Sequence, residues 1–204
     1  MSYQLYYAPG ACSLAPHIVL RELGENFSLV KVSTKTHETD DGRDFYKINP
    51  KGYVPALGLG NGEVLTEGAA ITQFLADNKA GSDLAPRPGT LERARVNEWL
   101  VFTNSEVHKT FSPLFNPATT DEQKKAIKEK LAGRFDFIEK SLGDGRAYLT
   151  GEKFTIADAY MFTVVNWSNF TGIDIGPWPN LKAFQARVAA RPHTQAAMKA
   201  EGLI

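Results

Sequence analysis

The chain has 204 residues, with 23 basic and 23 acidic side chains, no formal net charge, 43% hydrophobic residues and one cysteine. Balanced charge provides no basic field for a phosphate backbone or an anionic membrane. One cysteine allows neither an internal disulfide nor a Cys-x-x-Cys zinc site. No run reaches the ~20 apolar residues of a membrane span, and Pro9, Gly10 and Pro16 interrupt any leader-like stretch behind a start without basic residues. The expectation is a soluble cytoplasmic protein that binds no nucleic acid, membrane or metal.

Tyr3–Tyr7 (YQLYY) is short and aromatic, as a buried strand is. Residues 14–23 place Leu14, Ile18 and Val19 at helical spacing, and Gly24 stops them as a C-cap does. Residues 27–32 (FSLVKV) alternate as a second strand. A polar stretch then leads to a short helical piece at 45–48. Residues 56–59 and 63–65 are two short strands joined at Gly60-Asn61-Gly62, a strong hairpin signal. Residues 66–78 read as a helix with Ile71, Phe74 and Leu75 on one face. Two strands joined by a helix are parallel and a hairpin is antiparallel, so residues 1–80 predict a small mixed four-stranded sheet with helices.

Residues 81–89 (GSDLAPRPG) read as a linker. From residue 90 to 204 strand signals nearly vanish, and helical spacing covers 91–115, 121–142, 154–165 and 181–190, with Pro192 opening a last short helix. An all-helical second domain follows. Lys124, Lys125, Lys128 and Lys130 alternate with acidic neighbours and read as a solvated helix face.

Cys12 lies past the first strand at the entry to the first helix. A lone cysteine is commonly an inert buried residue. Here, unpaired backbone N–H groups and the positive end of the helix dipole are expected to favour a thiolate. Three residues on stands Ala15, which excludes two-cysteine redox cycling. Val54-Pro55 opens the third strand. Its peptide bond is either an ordinary trans turn or a cis bond that directs the valine N–H and C=O outward to pair with a passing peptide. Thr66 reads as an N-cap, with free N–H groups at Glu67 and Gly68 for a carboxylate and the Glu67 side chain for an ammonium; the plainer reading is a cap without a ligand. A ligand with a sulfur, a peptide backbone, a carboxylate and an amine satisfies all three features, and glutathione has all four.

The segments 6–14 (YYAPGACSL), 49–57 (NPKGYVPAL), 65–71 (LTEGAAI), 106–109 (EVHK) and 155–160 (TIADAY) resemble, in order, those of bacterial beta-class glutathione transferases. The resemblance spans essentially the whole chain. It implies a thioredoxin-like α/β domain followed by an all-α helical bundle, in a homodimer. It implies glutathione held by Cys12, His37, Tyr53, Val54, Pro55, Glu67, Gly68, Ser105, Glu106 and His108, with Cys12 and His108 as the catalytic pair. Pro9, Ala11, Phe111, Ser112, Phe115 and Trp167 are then the hydrophobic cosubstrate pocket. His37 stands where the class commonly has a lysine, with Lys35 two residues earlier; Val101 replaces a helix asparagine said to cross the dimer, with Asn104 nearby; and Tyr53 replaces a glutamine. Thr155 and Asp158 form a capping-box pattern with a structural role.

The expected activity is conjugation of the glutathione thiolate, supported by donors near Cys12, Ser13 and His108, to a small hydrophobic electrophile. Two rivals remain open. One is thiol-transferase, peroxidase or reductive dehalogenase chemistry through a Cys12 mixed disulfide. The other is a non-catalytic glutathione- or ligand-binding protein of the same fold.

Overall fold

In a computed structural model, which describes residues 2–204, Tyr3–Tyr7 forms β1, an inner strand of a four-stranded sheet ordered β2-β1-β3-β4. β2 (Phe27–Lys31) runs parallel to β1, with Tyr3 opposite Phe27. β3 (Ala56–Gly58) and β4 (Val64–Thr66) add antiparallel pairs, as the hairpin signal predicts. Side chains alternate across this sheet. Tyr6, Val30, Val32, Phe45 and Ala56 pack on one face. Leu5 and Leu57, opposite each other in the register, take the other parity, and they are fully buried, as are Leu14 and Ile18 of α1 (Leu14–Glu22) and Ile71 of α2 (Gly68–Asn78). The expected helical piece at 45–48 is a 3₁₀ turn, Phe45–Lys47, capped by the Asp44 carboxylate.

Two units emerge from the contacts: Met1–Asp83 with Arg191–Ile204, and Leu84–Ala190. This differs from a division at residues 80 and 90. Leu84 is buried and its carbonyl accepts from the Ile156 N–H, and Arg93 donates to the Pro86 carbonyl, so most of the expected linker is built into the second unit. The C-terminal helix, expected in the second domain, belongs to the first unit. Arg191 grips Glu22 with two hydrogen bonds of 2.7 and 2.8 Å. Glu201, buried just past that helix, reaches His17 on α1 at 2.8 Å.

The second unit is all helical among its described residues. α3 (Leu91–Phe102) starts at a Thr90 cap and widens into a π-helical turn, Thr103–His108, before α4 (Lys109–Phe111) and a 3₁₀ turn at Ser112–Phe115. The sequence reads this stretch as one helix. Thr103, Ser105, Thr110 and Ser112 of this stretch each donate to the carbonyl four residues back, a bond that tends to bend a helix. α5 (Asp121–Ser141) has a complete Thr120–Gln123 capping box. All ten residues of α6 (Ile156–Val165) are buried, as expected for a helix apolar all round. The sequence reading omits α7 (Ser168–Thr171), a single turn; α8 (Pro179–Ala189) and α9 (Pro192–Ala200) complete the chain. No helix of the described residues is long and apolar enough to cross a membrane.

Candidate active site

In the first unit the three sequence features converge. Cys12 sits before Ser13, the residue that opens α1, and its Sγ donates to the Val54 carbonyl at 3.2 Å. The Val54–Pro55 peptide is cis. Gly68 follows as the first residue of α2, and a Cβ there would lie 3.7 Å from the Pro55 ring. Glu67 caps α2 with φ 71° and ψ 113°, a left-handed conformation uncommon outside glycine and often found at functional positions.

Several details differ from the sequence reading. Thr66 ends β4 rather than capping the helix. The cap is Glu67, and its carboxylate meets Lys51 Nζ at 2.6 Å, with Lys51 also donating to the Thr66 hydroxyl. Ser13 is fully buried, and its hydroxyl both accepts from the Ala8 N–H and donates to the Ala8 carbonyl, so it closes the loop rather than serving a ligand sulfur. The Cys12 thiol is not activated. Burial pushes it up to about 12 and the Glu67 charge adds to that, outweighing the backbone N–H groups of Cys12 and Ser13. At neutral pH it is a protonated hydrogen-bond donor.

A brace holds the loop that leads to the cis bond. Asn49 Nδ2 donates to the Tyr53 carbonyl, and the Lys51 and Gly52 N–H groups return to Asn49. His37, itself at φ 56°, donates from Nδ1 to the Gly52 carbonyl at 3.0 Å and stacks on Tyr46 at 4.6 Å. Gly52 is needed here: φ is +69° and a Cβ would fall 2.6 Å from the Tyr46 ring. Tyr53 is exposed, and so is Lys35.

In the second unit His108 closes the π turn. Its Nδ1 lies 2.7 Å from the Tyr160 hydroxyl, which donates to Asn104 Oδ1 at 3.0 Å. The ring stands edge-on to Trp167 at 4.8 Å, and Trp167 meets Phe115 at 5.4 Å. Phe115 is half exposed and Ser112 exposed, whereas Phe111 is fully buried against Phe135 and Trp167. Phe111 therefore supports the expected pocket from behind instead of lining it.

Comparison with known proteins follows the same two-part division. Residues 1–77 match the family model of the glutathione S-transferase N-terminal domain, and residues 102–192 that of the C-terminal domain. The chain is 42% identical over 200 residues to glutathione S-transferase GstA of Escherichia coli O157:H7, covering 98% of this chain and 99% of that one. It belongs to the glutathione S-transferase family. Among solved structures, a glutathione transferase from Methylococcus capsulatus superposes with a TM-score of 0.97 at 50% identity, covering 99% of this chain and 100% of that one. The beta-class transferase of Sphingomonas chungbukensis gives 0.95 at 47%, and a sphingomonad transferase complexed with glutathione 0.94 at 46%, each covering 98% of this chain and all of the other.

The transferase fold brings Cys12, Val54, Pro55, Glu67, Gly68, Tyr53 and His37 into the first unit, and gathers His108, Ser112, Phe115 and Trp167 in the second. Pro9 is exposed and Ala11 partly buried on the loop before Cys12. Ser105 is exposed and its hydroxyl donates to Val101; Glu106 pairs with Arg134 of α5. Val101 lies exposed, while Asn104 is engaged by Tyr160 of the same unit. Thr155 and Asp158 form the predicted capping box, which also binds the Leu149 N–H. Sequence reading passed over Lys51, Tyr160, His17 and Glu201. Lys51 and Tyr160 both stand inside segments that carry the family resemblance; His17 and Glu201 pair across the chain and leave no local signal. No cluster of metal-ligating side chains exists among the described residues.

Proposed function

We propose that this transferase binds glutathione on its first unit and conjugates the thiolate to small hydrophobic electrophiles, as a cytoplasmic homodimer. The observation that carries the reading is the gathering of the Cys12 thiol, the Val54 backbone and the Glu67–Gly68 helix start in one unit. The Val54 N–H has no protein partner among the described residues, and it suits a peptide laid beside it. The first N–H groups of α2 suit the γ-glutamyl carboxylate and Glu67 its ammonium. His37 and Tyr53 attend the glycine end. In the second unit, Phe115 and Trp167 offer the apolar aromatic surface that suits a hydrophobic electrophile.

Conjugation forms a sulfur–carbon bond as the leaving group departs with its electron pair, so no enzyme nucleophile is required. A protonated Cys12 suits that role: its S–H can turn from the Val54 carbonyl to a sulfur, and it is a poor attacker of disulfides. Calorimetric titration with glutathione and turnover of 1-chloro-2,4-dinitrobenzene test the reading. Binding with turnover, retained in part by Cys12→Ala, is expected. Loss of all conjugation in Cys12→Ala together with strong thiol-transferase activity in the parent overturns it in favour of the mixed-disulfide route. Binding without turnover over a broad electrophile panel overturns it in favour of a storage role.

A further inference from the structure

Lys51 and Glu67, both in the first unit, form an ion pair at the place assigned above to the γ-glutamyl end of glutathione. Lys51 Nζ donates to a Glu67 carboxylate oxygen at 2.6 Å and to the Thr66 hydroxyl at 3.1 Å. Its head therefore stands against the two residues that precede Gly68, the first residue of α2. The partners differ in freedom. Glu67 is held at the helix cap in a left-handed backbone, with φ 71°. The Lys51 backbone is held too: its N–H donates to Asn49 Oδ1, and Asn49, itself buried, also braces the Tyr53 carbonyl. Only the four-carbon stem is free to swing, and it carries a point charge without the fixed fork of a guanidinium. A cation and an anion thus lie side by side where an amino-acid end, bearing the same two charges, is to bind. The seat that Glu67 offers a ligand ammonium is already taken by Lys51.

We propose that Lys51 is a specificity-determining residue that exchanges partners when glutathione binds. This deepens the reading above and rests on it. In the ligand-free protein Lys51 neutralises Glu67. On binding, the ligand ammonium takes its place at Glu67, and Lys51 turns to the α-carboxylate that the first N–H groups of α2 receive. Each charge then has an opposite neighbour before and after the exchange. A ligand with the ammonium but no α-carboxylate displaces Lys51 and offers it nothing in return. The pair therefore selects a complete amino-acid end over a simple amine, by an unfavourable contact with the wrong ligand as well as a favourable one with the right ligand.

Calorimetric titration at low salt with glutathione and with 4-aminobutyryl-cysteinyl-glycine, which lacks only the α-carboxylate, tests the exchange. Both side chains of the pair are more than half exposed, so Lys51→Met keeps the fold. It is expected to weaken glutathione binding about three- to fivefold, while binding of the analogue changes by less than about twofold or tightens. Lys51→Arg, which keeps the charge, is expected to bring glutathione binding back to within about twofold of the parent. Equal weakening of both ligands by Lys51→Met overturns the exchange and leaves Lys51 a structural role. Tighter glutathione binding by that variant also overturns it, since Lys51 is then only a competitor for Glu67. A parent that binds neither ligand overturns the glutathione reading itself.

Discussion

Among the described residues, Glu201 in the first unit and Asp158 in the second are deeply buried carboxyl groups, and the two are satisfied in different ways. Glu201 accepts from the Gly10 N–H through one oxygen at 2.9 Å and from His17 Nδ1 through the other, and His17 Nε2 in turn accepts from Arg21. A cation thus stands one ring away. Asp158 accepts the N–H groups of Leu149 and Thr155 and the Thr155 hydroxyl, all neutral, at 2.7–2.8 Å. Desolvation wins there: burial raises the Asp158 carboxyl to about 6 despite its three donors. Hydrogen bonds alone do not fully offset the removal of a carboxylate from water.

The largest expected effect comes from the long-range group. Glu201→Ala leaves the Gly10 N–H and the buried His17–Arg21 pair without their acceptor and loosens the loop that carries Cys12. We expect a loss of about 3–5 kcal/mol of stability, measured by urea denaturation. A loss smaller than that of Asp158→Ala would reverse the comparison. Asp158→Ala strips three donors of a shared acceptor and is expected to cost about 2–3 kcal/mol.

Asp158 also adds a pH dependence with a defined sign. Its folded-state value of about 6 lies above the ordinary 3.8, so between these values the folded chain binds more protons than the unfolded one. The contribution is fully present below about pH 4 and is lost as pH rises through about 6, to a total of roughly 3 kcal/mol. Denaturation of the parent and of Asp158→Asn at pH 4.5 and 7 checks this: relative to the variant, the parent loses stability on going up in pH. The same stability difference at both pH values would mean that burial does not raise the Asp158 carboxyl.

The two carboxyls also differ in how far the sequence discloses them. Asp158 stands three residues after Thr155, and a capping box is a local pattern that any reading of helix starts can find. Glu201 and His17 are 184 residues apart, and no periodicity connects them, so the sequence alone groups α9 with the other helices whereas its contacts cluster with the first unit. The site divides along the same line. Cys12, Val54-Pro55 and Glu67 were visible because each is marked by its neighbours at the end of an element. Tyr160 reads only as one more apolar-face residue of α6, and its link to His108 depends on a π turn that helical periodicity does not show. The electrostatics of Cys12 divide in the same way: a helix start is legible in sequence, whereas the burial that outweighs it is not.

Gly52→Ala tests whether satisfaction by geometry counts as much as satisfaction by charge. The new methyl would press on Tyr46 in a left-handed backbone, and we expect a loss of about 1–3 kcal/mol. The His37–Gly52 hydrogen bond should weaken with it, seen as a shifted His37 ring signal by NMR.

The smallest expected effect concerns a third carboxylate. Glu67 meets Lys51 at 2.6 Å, a distance as short as any in the buried networks, yet both side chains are more than half exposed. Water already solvates each partner, and salt screens their attraction. Lys51→Ala should therefore change stability by less than about 1 kcal/mol, read from denaturation midpoints at low and high salt. A loss comparable to that of Asp158→Ala would mean that proximity of charge, rather than removal from water, sets the energetic weight of a carboxylate in this fold. The physics of the two buried groups predicts the opposite, because what distinguishes them is what replaces water around each oxygen.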